Sequence, residues 1–324
     1  MKYNIEELRE LFENYLAQVE VPGDPERLYA PCIYAMSNGG KRLRPTLLLA
    51  AYNLFADDMS AALPAAAAVE IFHNFTLLHD DIMDNAVMRR GRESVYAKWG
   101  ANVAILSGDA MLIAAYRMLR RIQAPLLPRA LEIFNDMALQ VCEGQQYDMD
   151  FESRRKISVV EYMHMIELKT SVLMAGAAYL GALLGGAGEE DCRKLYKFAV
   201  ELGMAFQLQD DLLDCYGDEK VLGKRIGGDI VEGKKTFLMV KAMSLSHEAD
   251  REVLRAALKN TMPPEEKIAR VKEIYDRLEI RRITEQQISS RFERALAALE
   301  TVSVGRQATE CLRGFAMSLM GRTK

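Results

Sequence analysis

Apolar residues recur at positions i, i+3, i+4 and i+7 along almost all of the 324 residues. This spacing places them on one face of an α-helix, whereas a half-buried strand would alternate apolar and polar residues. No long alternating stretch occurs in the sequence. The pattern therefore predicts an all-α fold, with helices over about 4–20, 25–38, 42–56, 60–86, 101–122, 125–150, 158–185, 189–216, 234–245, 247–259, 264–299 and 302–321.

The chain shows no internal sign of a domain boundary. Half of its residues are apolar, which is enough for a large core, and no Ser- or Pro-rich linker divides it. We therefore predict one domain over 1–324. The acidic amphipathic start lacks an apolar run with a cleavage site, so no secretory signal is predicted.

Charge and cysteine content exclude several classes of partner. The formal net charge is −4, whereas binding to nucleic acid would favour a basic excess. The five cysteines form no CxxC pair, so neither a zinc site nor a disulfide framework is indicated, and a cytoplasmic location is predicted. The uncharged stretch 171–188 is interrupted by four glycines, which favours a buried helix over a membrane span.

Two acidic motifs of the form DDxxD end long apolar helices, one at 80–84 and one at 210–214. The first and last Asp of each motif lie one turn apart on the same helical face. Their mutual repulsion, and that of the helix dipole, predict a compensating cation. Because the motifs hold only oxygen ligands, Mg²⁺ completed by water and phosphate fits best.

Short basic clusters supply local positive charge within an acidic chain. They are Gly39-Gly40-Lys41-Arg42-Leu43-Arg44, Arg89-Arg90-Gly91-Arg92, Lys169-Thr170, Gly223-Lys224-Arg225 and Gly233-Lys234-Lys235-Thr236. Glycines before a helix start, together with Arg side chains, are typical of anion sites. Combined with the paired acids, these clusters predict a site for metal and diphosphate.

These motifs resemble the trans-isoprenyl diphosphate synthases, or polyprenyl synthetases. The resemblance rests on GGKRLRP at 39–45, HNFTLLHDDIMDNAVMRRG at 73–91, AILSGDAML at 104–112, LKT at 168–170, FQLQDDLLD at 206–214 and GKRIGGDIVEGKKT at 223–236. It implies one domain of antiparallel helices around a deep central cavity, assembled as a homodimer. It also implies condensation of isopentenyl diphosphate with an allylic diphosphate.

The resemblance assigns roles to individual residues. It implies about three Mg²⁺ ions held by Asp80, Asp84 and Asp210, with Asp81, Asp211 and Asp214 supporting them or adding ligands. Isopentenyl diphosphate would be held by Lys41, Arg44, His73 and Arg90. The allylic diphosphate would be held by Arg89, Lys169, Thr170, Gln207, Lys224 and Lys234, and Thr170 and Gln207 would also face the allylic cation.

Product length depends, by the same resemblance, on side chains that precede the first acidic motif. Phe75 lies five residues before Asp80 and Thr76 lies four before it. A single aromatic residue here, with no insertion in the motif, favours geranylgeranyl over farnesyl diphosphate as product. Phe72 and Phe75 are equally compatible with an ordinary core role.

The sequence is open to three other readings. Glu70-x-x-His73 and Glu161-x-x-His164 match the ligand pairs of a ferritin-like di-iron bundle, which would leave both acidic motifs unexplained. A terpene cyclase would share the ionisation step but needs no site of the kind implied for Lys41, Arg44 and His73. A non-catalytic subunit of a synthase need not keep both motifs intact.

Overall fold

The computed structural model describes residues 3–218, 226–259 and 261–321. The chain forms two compact units that are each built from separate stretches of sequence. The first unit contains the residues up to 135 together with 176–195 and 303–312, and the second contains 136–175, 196–302 and the residues from 313. The prediction of a single domain stays a prediction.

The first unit carries the first acidic motif and the elements around it. Its complete elements are α1 (Ile5–Leu16), α2 (Glu26–Ser37), α3 (Leu43–Tyr52), a 3₁₀ turn (Met59–Ala61), α4 (Leu63–Met83), β1 (Met88–Arg89), β2 (Arg92–Glu93), α5 (Val95–Trp99) and α6 (Ala101–Leu119). Helices α7 (Leu127–Ser153), α9 (Val172–Leu184), α10 (Glu189–Tyr216) and α16 (Arg306–Met320) contribute residues to both units.

The second unit carries the second acidic motif. Its complete elements are α8 (Val159–Ile166), a π-helical segment (Glu167–Ser171), α11 (Gly228–Glu232), α12 (Phe237–Leu245), α13 (Glu248–Leu258), α14 (Pro264–Arg277) and α15 (Ile280–Glu300). One apolar cluster in this unit lies around Leu212, Leu254 and Tyr275, and another around Phe151, Tyr162 and Phe237.

Helix α4 shows how the sequence positions the first motif. Pro64 lies in its first turn, where a missing backbone N–H is tolerated, and the alanines at 65–68 are fully buried. These small side chains allow α4 to pack closely against its neighbours, chiefly α6. The helix ends at Met83 with Asp84 as its C-cap, so the motif occupies the last turn.

The all-α prediction is confirmed, and the differences from it are local. The helix predicted over 264–299 is broken because Glu279 adopts a left-handed φ of 53° between α14 and α15. After the first motif, Arg90 and Gly91 form a tight turn, with φ of 53° and 78°, that pairs β1 with β2. Such turns depend on backbone conformations that apolar periodicity does not reveal.

Three helical stretches are long and apolar enough, by composition alone, to cross a membrane: Met59–Met83, Ala101–Leu119 and Val159–Leu184. The first and third are largely buried inside the protein, so their apolar character is used in packing. Helix α6 (Ala101–Leu119) is the least buried of the three.

Candidate active site

The first acidic motif divides into an inward and an outward part. Asp81 is 3% exposed and accepts a hydrogen bond from Arg89 Nε at 2.8 Å, with Arg89 Nη2 bonded to the same oxygen. Burial raises the pKa of Asp81, while the Arg89 guanidinium opposes that shift. Asp80 is half-buried and Asp84 is exposed at the end of α4. The outward carboxylates are therefore the ones placed to meet a cation.

The glycine-rich loop before α3 has an unusual backbone. Gly39, Gly40 and Arg42 all have positive φ, at 63°, 130° and 47°. A Cβ atom at Gly40 would lie 2.7 Å from Arg90 Nη1, so a larger residue would require this guanidinium to shift, and the φ of Gly40 itself favours glycine. Arg90 Nη1 also donates to the Gly39 carbonyl oxygen. The loop thus holds Arg90 directly against its backbone.

Arg42 points into the protein, although it belongs to the basic cluster that was predicted to bind an anion. Its Nη1 donates to Glu70 Oε1 at 2.7 Å, its Nε to Glu13 Oε1 at 2.8 Å, and its Nη2 to the Met36 carbonyl oxygen at 2.9 Å. The Arg42 and Glu70 side chains are only 4% and 3% exposed. This buried ion pair fastens the loop to α4.

Arg44 and His73 form a second pair beside the loop. Arg44 Nη1 donates to His73 Nε2 at 3.1 Å, which requires the imidazole to accept and so to be neutral. Burial, with the nearby Arg44 and Arg90 charges, holds the pKa of His73 well below its usual range. The Arg44 Nε is buried with no hydrogen-bond partner among residues 3–218, 226–259 and 261–321, and burial lowers the pKa of the guanidinium to about 10. An unused donor among cations favours an anionic ligand.

The second acidic motif, at the end of α10, divides in the same way. Asp211 is buried and accepts from Tyr162 Oη at 2.5 Å, Gln207 Nε2 at 3.0 Å and the Phe237 backbone N–H at 3.1 Å. Burial raises the pKa of Asp211 to about 6 despite these donors. Asp210 is exposed.

Asp214 is also directed into the protein. Its Oδ2 accepts the Asp229 backbone N–H at 2.9 Å in the first turn of α11, and the Gly227 N–H donates to its carbonyl oxygen at 2.7 Å. Its side chain is buried. Asp214 therefore fixes the segment after α10 onto the motif, so the metal-ligand roles predicted for Asp81 and Asp214 remain predictions that this bonding does not favour.

Lys169 and Thr170 lie in the π-helical segment, an irregularity that often marks functional sites. Lys169 Nζ bonds Asp148 Oδ2 on α7 at 2.6 Å. A Cβ atom at Gly144 would lie 2.3 Å from the Lys169 backbone nitrogen, so this glycine allows the π turn to approach α7. Thr170 Oγ1 donates to Gln207 Oε1 at 3.0 Å. The structure thus joins Thr170, Gln207 and Asp211 in one network.

The basic cluster after α11 has mixed roles. Lys234 is exposed, with its Nζ 2.8 Å from Glu232 Oε2. Lys235 instead donates to the carbonyl oxygens of Phe151, Glu152 and Arg154, where it caps the end of α7. The predicted ligand Lys224 lies outside the described residues.

The residues predicted to set product length lie on α4, one turn or more before Asp80. Phe72 is 1% exposed and packs edge-on against Phe134, so it is a core residue. Phe75 is only partly buried and contacts the rings of Phe72 and His79. Thr76 Oγ1 donates back to the His73 carbonyl oxygen. Phe75 remains the stronger candidate for the floor of a cavity.

The Glu-x-x-His pairs do not form a di-iron site. Glu70 is bonded to Arg42 and to Asn74 Nδ2, and His73 accepts from Arg44. Glu161 caps the start of α8 through Ser158. Over residues 3–218, 226–259 and 261–321, no three His, Cys, Asp or Glu side chains are grouped as a metal site on their own. Each acidic motif offers one or two outward carboxylates, the number Mg²⁺ takes when water and phosphate supply the rest.

Several residues of these networks were not predicted from the sequence. Glu70, Asp148 and Tyr162 stand in ordinary helical positions, and their importance depends on partners at least 21 residues away. A buried Glu within an apolar helix is the one signal that was available, because such a charge requires a partner.

The chain is similar to known proteins over most of its length. The polyprenyl synthetase family model matches residues 25–278. A geranylgeranyl diphosphate synthase of Methanosarcina mazei is 43% identical over 228 residues, which cover 70% of each chain. A geranylgeranyl diphosphate synthase of Sulfolobus acidocaldarius is 38% identical over 271 residues, which cover 79% of this chain and 82% of the other, and the alternative of a terpene cyclase finds no support.

Solved structures show the same fold. The crystal structure of a geranylgeranyl pyrophosphate synthase superposes with a TM-score of 0.94 at 40% identity, covering 99% of this chain and all of the other. The synthase of Corynebacterium glutamicum, complexed with isoprenyl diphosphate and magnesium, gives a TM-score of 0.85 at 28% identity and covers 98% of each chain. The chain therefore belongs to the polyprenyl synthetase family and is a trans-prenyltransferase of the short-chain type.

Proposed function

We propose that the chain condenses isopentenyl diphosphate with an allylic diphosphate and releases mainly geranylgeranyl diphosphate. The observation that carries the proposal is the buried Arg44 Nε, which has no partner in the described part of the chain. It lies beside neutral His73 and next to the loop that holds Arg90. A synthase needs a diphosphate site for the extender in addition to the primer site, whereas a cyclase does not.

The extender site is proposed to consist of Lys41, Arg44, His73 and Arg90. The left-handed loop places Arg90 against its backbone, and Arg44 is fixed by the first turn of α3. Neutral His73 accepts from Arg44, so it orients the guanidinium without adding a further charge. The cations bind the extender diphosphate, which does not react, and thereby align its double bond.

The primer site is proposed to use Lys169, Thr170, Gln207, Lys224 and Lys234, with Arg89 released from Asp81 or acting through it. By the family resemblance, Asp80, Asp84 and Asp210 would hold Mg²⁺, which would supply charge stabilisation to the departing diphosphate. About three ions per site follow from the family resemblance. The protein cations neutralise the same developing charge, and the apolar helices exclude water from the allylic cation.

Bond formation then requires alignment more than a protein nucleophile. The primer C–O bond breaks, the extender double bond attacks the allylic carbon, and a proton leaves the new cation to the released diphosphate. Thr170 and Gln207 present oxygen dipoles that favour positive charge nearby. The apolar tail of the product extends towards Phe75.

A direct assay tests the proposed reaction. The purified protein is incubated with Mg²⁺, isopentenyl diphosphate and, separately, dimethylallyl, geranyl or farnesyl diphosphate, and the products are sized by chromatography. We expect extension of the primers to geranylgeranyl diphosphate. The proposal fails if no primer is extended, or if a primer is converted to a hydrocarbon without consumption of isopentenyl diphosphate.

Substitutions of the acidic motifs test the division between outward and inward carboxylates. Asp84→Asn and Asp210→Asn should each raise the Mg²⁺ concentration for half-maximal activity by about tenfold or more, because a ligand is lost. Asp214→Asn keeps an oxygen for the Asp229 N–H and should change it much less. An equal shift for Asp214→Asn and Asp210→Asn would contradict this assignment.

Phe75→Ala tests the control of product length. Removal of the ring should deepen the cavity and lengthen the product. Phe72→Leu is the matched control, because replacing this core residue should lower stability without changing the product. An unchanged product from Phe75→Ala would reject its role as the floor.

We also propose that the chain forms a homodimer through α6. This helix exposes Ile105, Ile113 and Tyr116, with exposed Asp109 and Arg117 placed symmetrically about Ile113. Two antiparallel copies of α6 centred on Ile113 would therefore pair each Asp109 with an Arg117 of the second copy. Asp109→Arg should shift sedimentation towards the monomer, and adding Arg117→Asp should restore the dimer. Dimers that persist in the single variant would contradict this arrangement.

The proposed cellular location is the cytoplasm. All five cysteines carry free thiols, and Cys142 is exposed, which suits a reducing compartment. Fractionation of cells that express the protein would test this location.

A further inference from the structure

A buried tyrosine hydroxyl lies behind the Thr170–Gln207 pair. Tyr162, on α8, is 3% exposed and packs with Phe151, Met165 and Phe237. Its Oη donates to Asp211 Oδ2 at 2.5 Å. Burial and the Asp211 charge raise the pKa of the phenol well above its usual range, so it stays protonated and remains a donor.

The direction of each hydrogen bond in this network follows from Asp211. An ionised carboxylate only accepts, so Gln207 must turn its amide nitrogen towards Asp211 Oδ1, at 3.0 Å. The Gln207 oxygen then faces Thr170 and accepts its hydroxyl proton at 3.0 Å. The only hydroxyl hydrogen of Thr170 is used in this bond, so its oxygen can act only as an acceptor towards other neighbours.

We infer that Tyr162 is a positioning residue for primer ionisation, holding Asp211 so that Thr170 and Gln207 keep the negative ends of their dipoles towards the allylic cation. Tyr162 does not touch the substrate and acts through three successive hydrogen bonds. Dipoles that are already oriented stabilise a developing charge without reorganisation. The inference rests on the proposed function, because it assumes that an allylic cation forms beside Thr170.

The Phe237 backbone N–H shows why the tyrosine is needed. This N–H and the Tyr162 hydroxyl share Asp211 Oδ2, so the two donors fix the carboxylate from α12 and from α8. Without the hydroxyl, one backbone donor remains on that oxygen and the carboxylate can rotate. Rotation would release Gln207 and allow its amide to reverse, which would turn an N–H towards the cation.

The test removes the hydroxyl alone. Tyr162→Phe keeps the ring and its packing. Tyr275→Phe is the matched control, because Tyr275 is a 1% exposed tyrosine of the same unit and its hydroxyl has no hydrogen-bond partner among the residues that the structure describes. We expect Tyr162→Phe to lower kcat about tenfold, with KM for both substrates changed less than about threefold. Tyr275→Phe should leave both constants unchanged.

A binding measurement separates positioning from simple core packing. An ammonium analogue of the allylic cation and a neutral isostere are titrated by calorimetry in the presence of pyrophosphate and Mg²⁺. Tyr162→Phe should weaken binding of the ammonium analogue about tenfold and leave the neutral isostere unaffected. A purely structural role would weaken both equally or neither.

A double-mutant cycle completes the test. If Tyr162 acts through Thr170, Tyr162→Phe should add little to the loss caused by Thr170→Val. Additive losses, or an unchanged kcat in Tyr162→Phe with an active wild type, would overturn the inference. Failure of the wild type to extend any primer would overturn the proposed function, and with it this inference.

Discussion

Replacing Glu70 by Ala removes one partner of the buried ion pair that anchors the loop before α3. Arg42 and Glu70 lie 2.7 Å apart with almost no exposure to solvent. The substitution leaves the Arg42 guanidinium buried without its main counter-charge. Loss of one partner of such a pair costs about 3–5 kcal/mol.

The remaining contacts place the expected loss at the lower end of that range. Arg42 keeps Glu13, whose side chain is 46% exposed, and it keeps the Met36 carbonyl oxygen. Asn74 Nδ2 keeps the Glu70 carbonyl oxygen at 2.8 Å and loses only the longer bond to the carboxylate at 3.2 Å. We therefore expect Glu70→Ala to lower the free energy of unfolding by about 3 kcal/mol.

Urea denaturation, monitored by circular dichroism, measures this loss with wild type and variants at equal concentration. The double variant Arg42→Met, Glu70→Leu removes both charges and should lie within about 1–2 kcal/mol of wild type, because apolar residues replace a buried pair well. A loss below about 1 kcal/mol in Glu70→Ala would refute the reasoning, and so would a double variant that is less stable than the single one.

Three further predictions concern the same region. His73→Gln keeps a neutral acceptor for Arg44 and should preserve KM for isopentenyl diphosphate within about threefold, whereas His73→Leu should raise it about tenfold. The pKa of His73 in the folded protein lies well below its unfolded value of about 6.5, so the unfolded chain takes up a proton first as pH falls. As the pH decreases below about 6.5, the wild type should therefore lose more stability than His73→Gln does. Denaturation at several pH values measures this difference. Gly40→Ala should displace Arg90 and raise KM for isopentenyl diphosphate, while Gly23→Ala, with open space around it, should not; equal constants for the two glycine variants would contradict the role of the loop.

The helices could be predicted from the sequence because each helix must bury an apolar face, and that face is visible as apolar residues spaced three or four positions apart. The sequence also showed which segments carry clustered charge, and their catalytic roles stay predictions. It did not predict the direction in which each charged side chain points. Arg42, Arg89 and Lys235 belong to three of the basic clusters, yet all three bond groups inside the protein. That choice depends on Glu70, Asp81 and the carbonyl oxygens at the end of α7.

Irregular backbone was the other feature beyond the reach of periodicity. The π-helical segment within the helix predicted over 158–185 requires a close approach to Gly144, a contact between positions more than 20 residues apart. Likewise, Glu279 at the helix break and Arg90 at the turn adopt left-handed conformations although neither residue is glycine. Such positions are stabilised by tertiary contacts, which local sequence does not record.

The π-helical segment also sets a phase relation along its helix. Each residue advances an α-helix by about 100°, so the wider turn at Glu167–Ser171 acts as one inserted residue and rotates everything that follows it in the helix. A regular α-helix through the same residues would turn α9 by about 100°, and other side chains of this buried helix would then meet each neighbour. The segment therefore sets the register of α9. A chimera with a relative should exchange the segment and Gly144 together, or leave both in place.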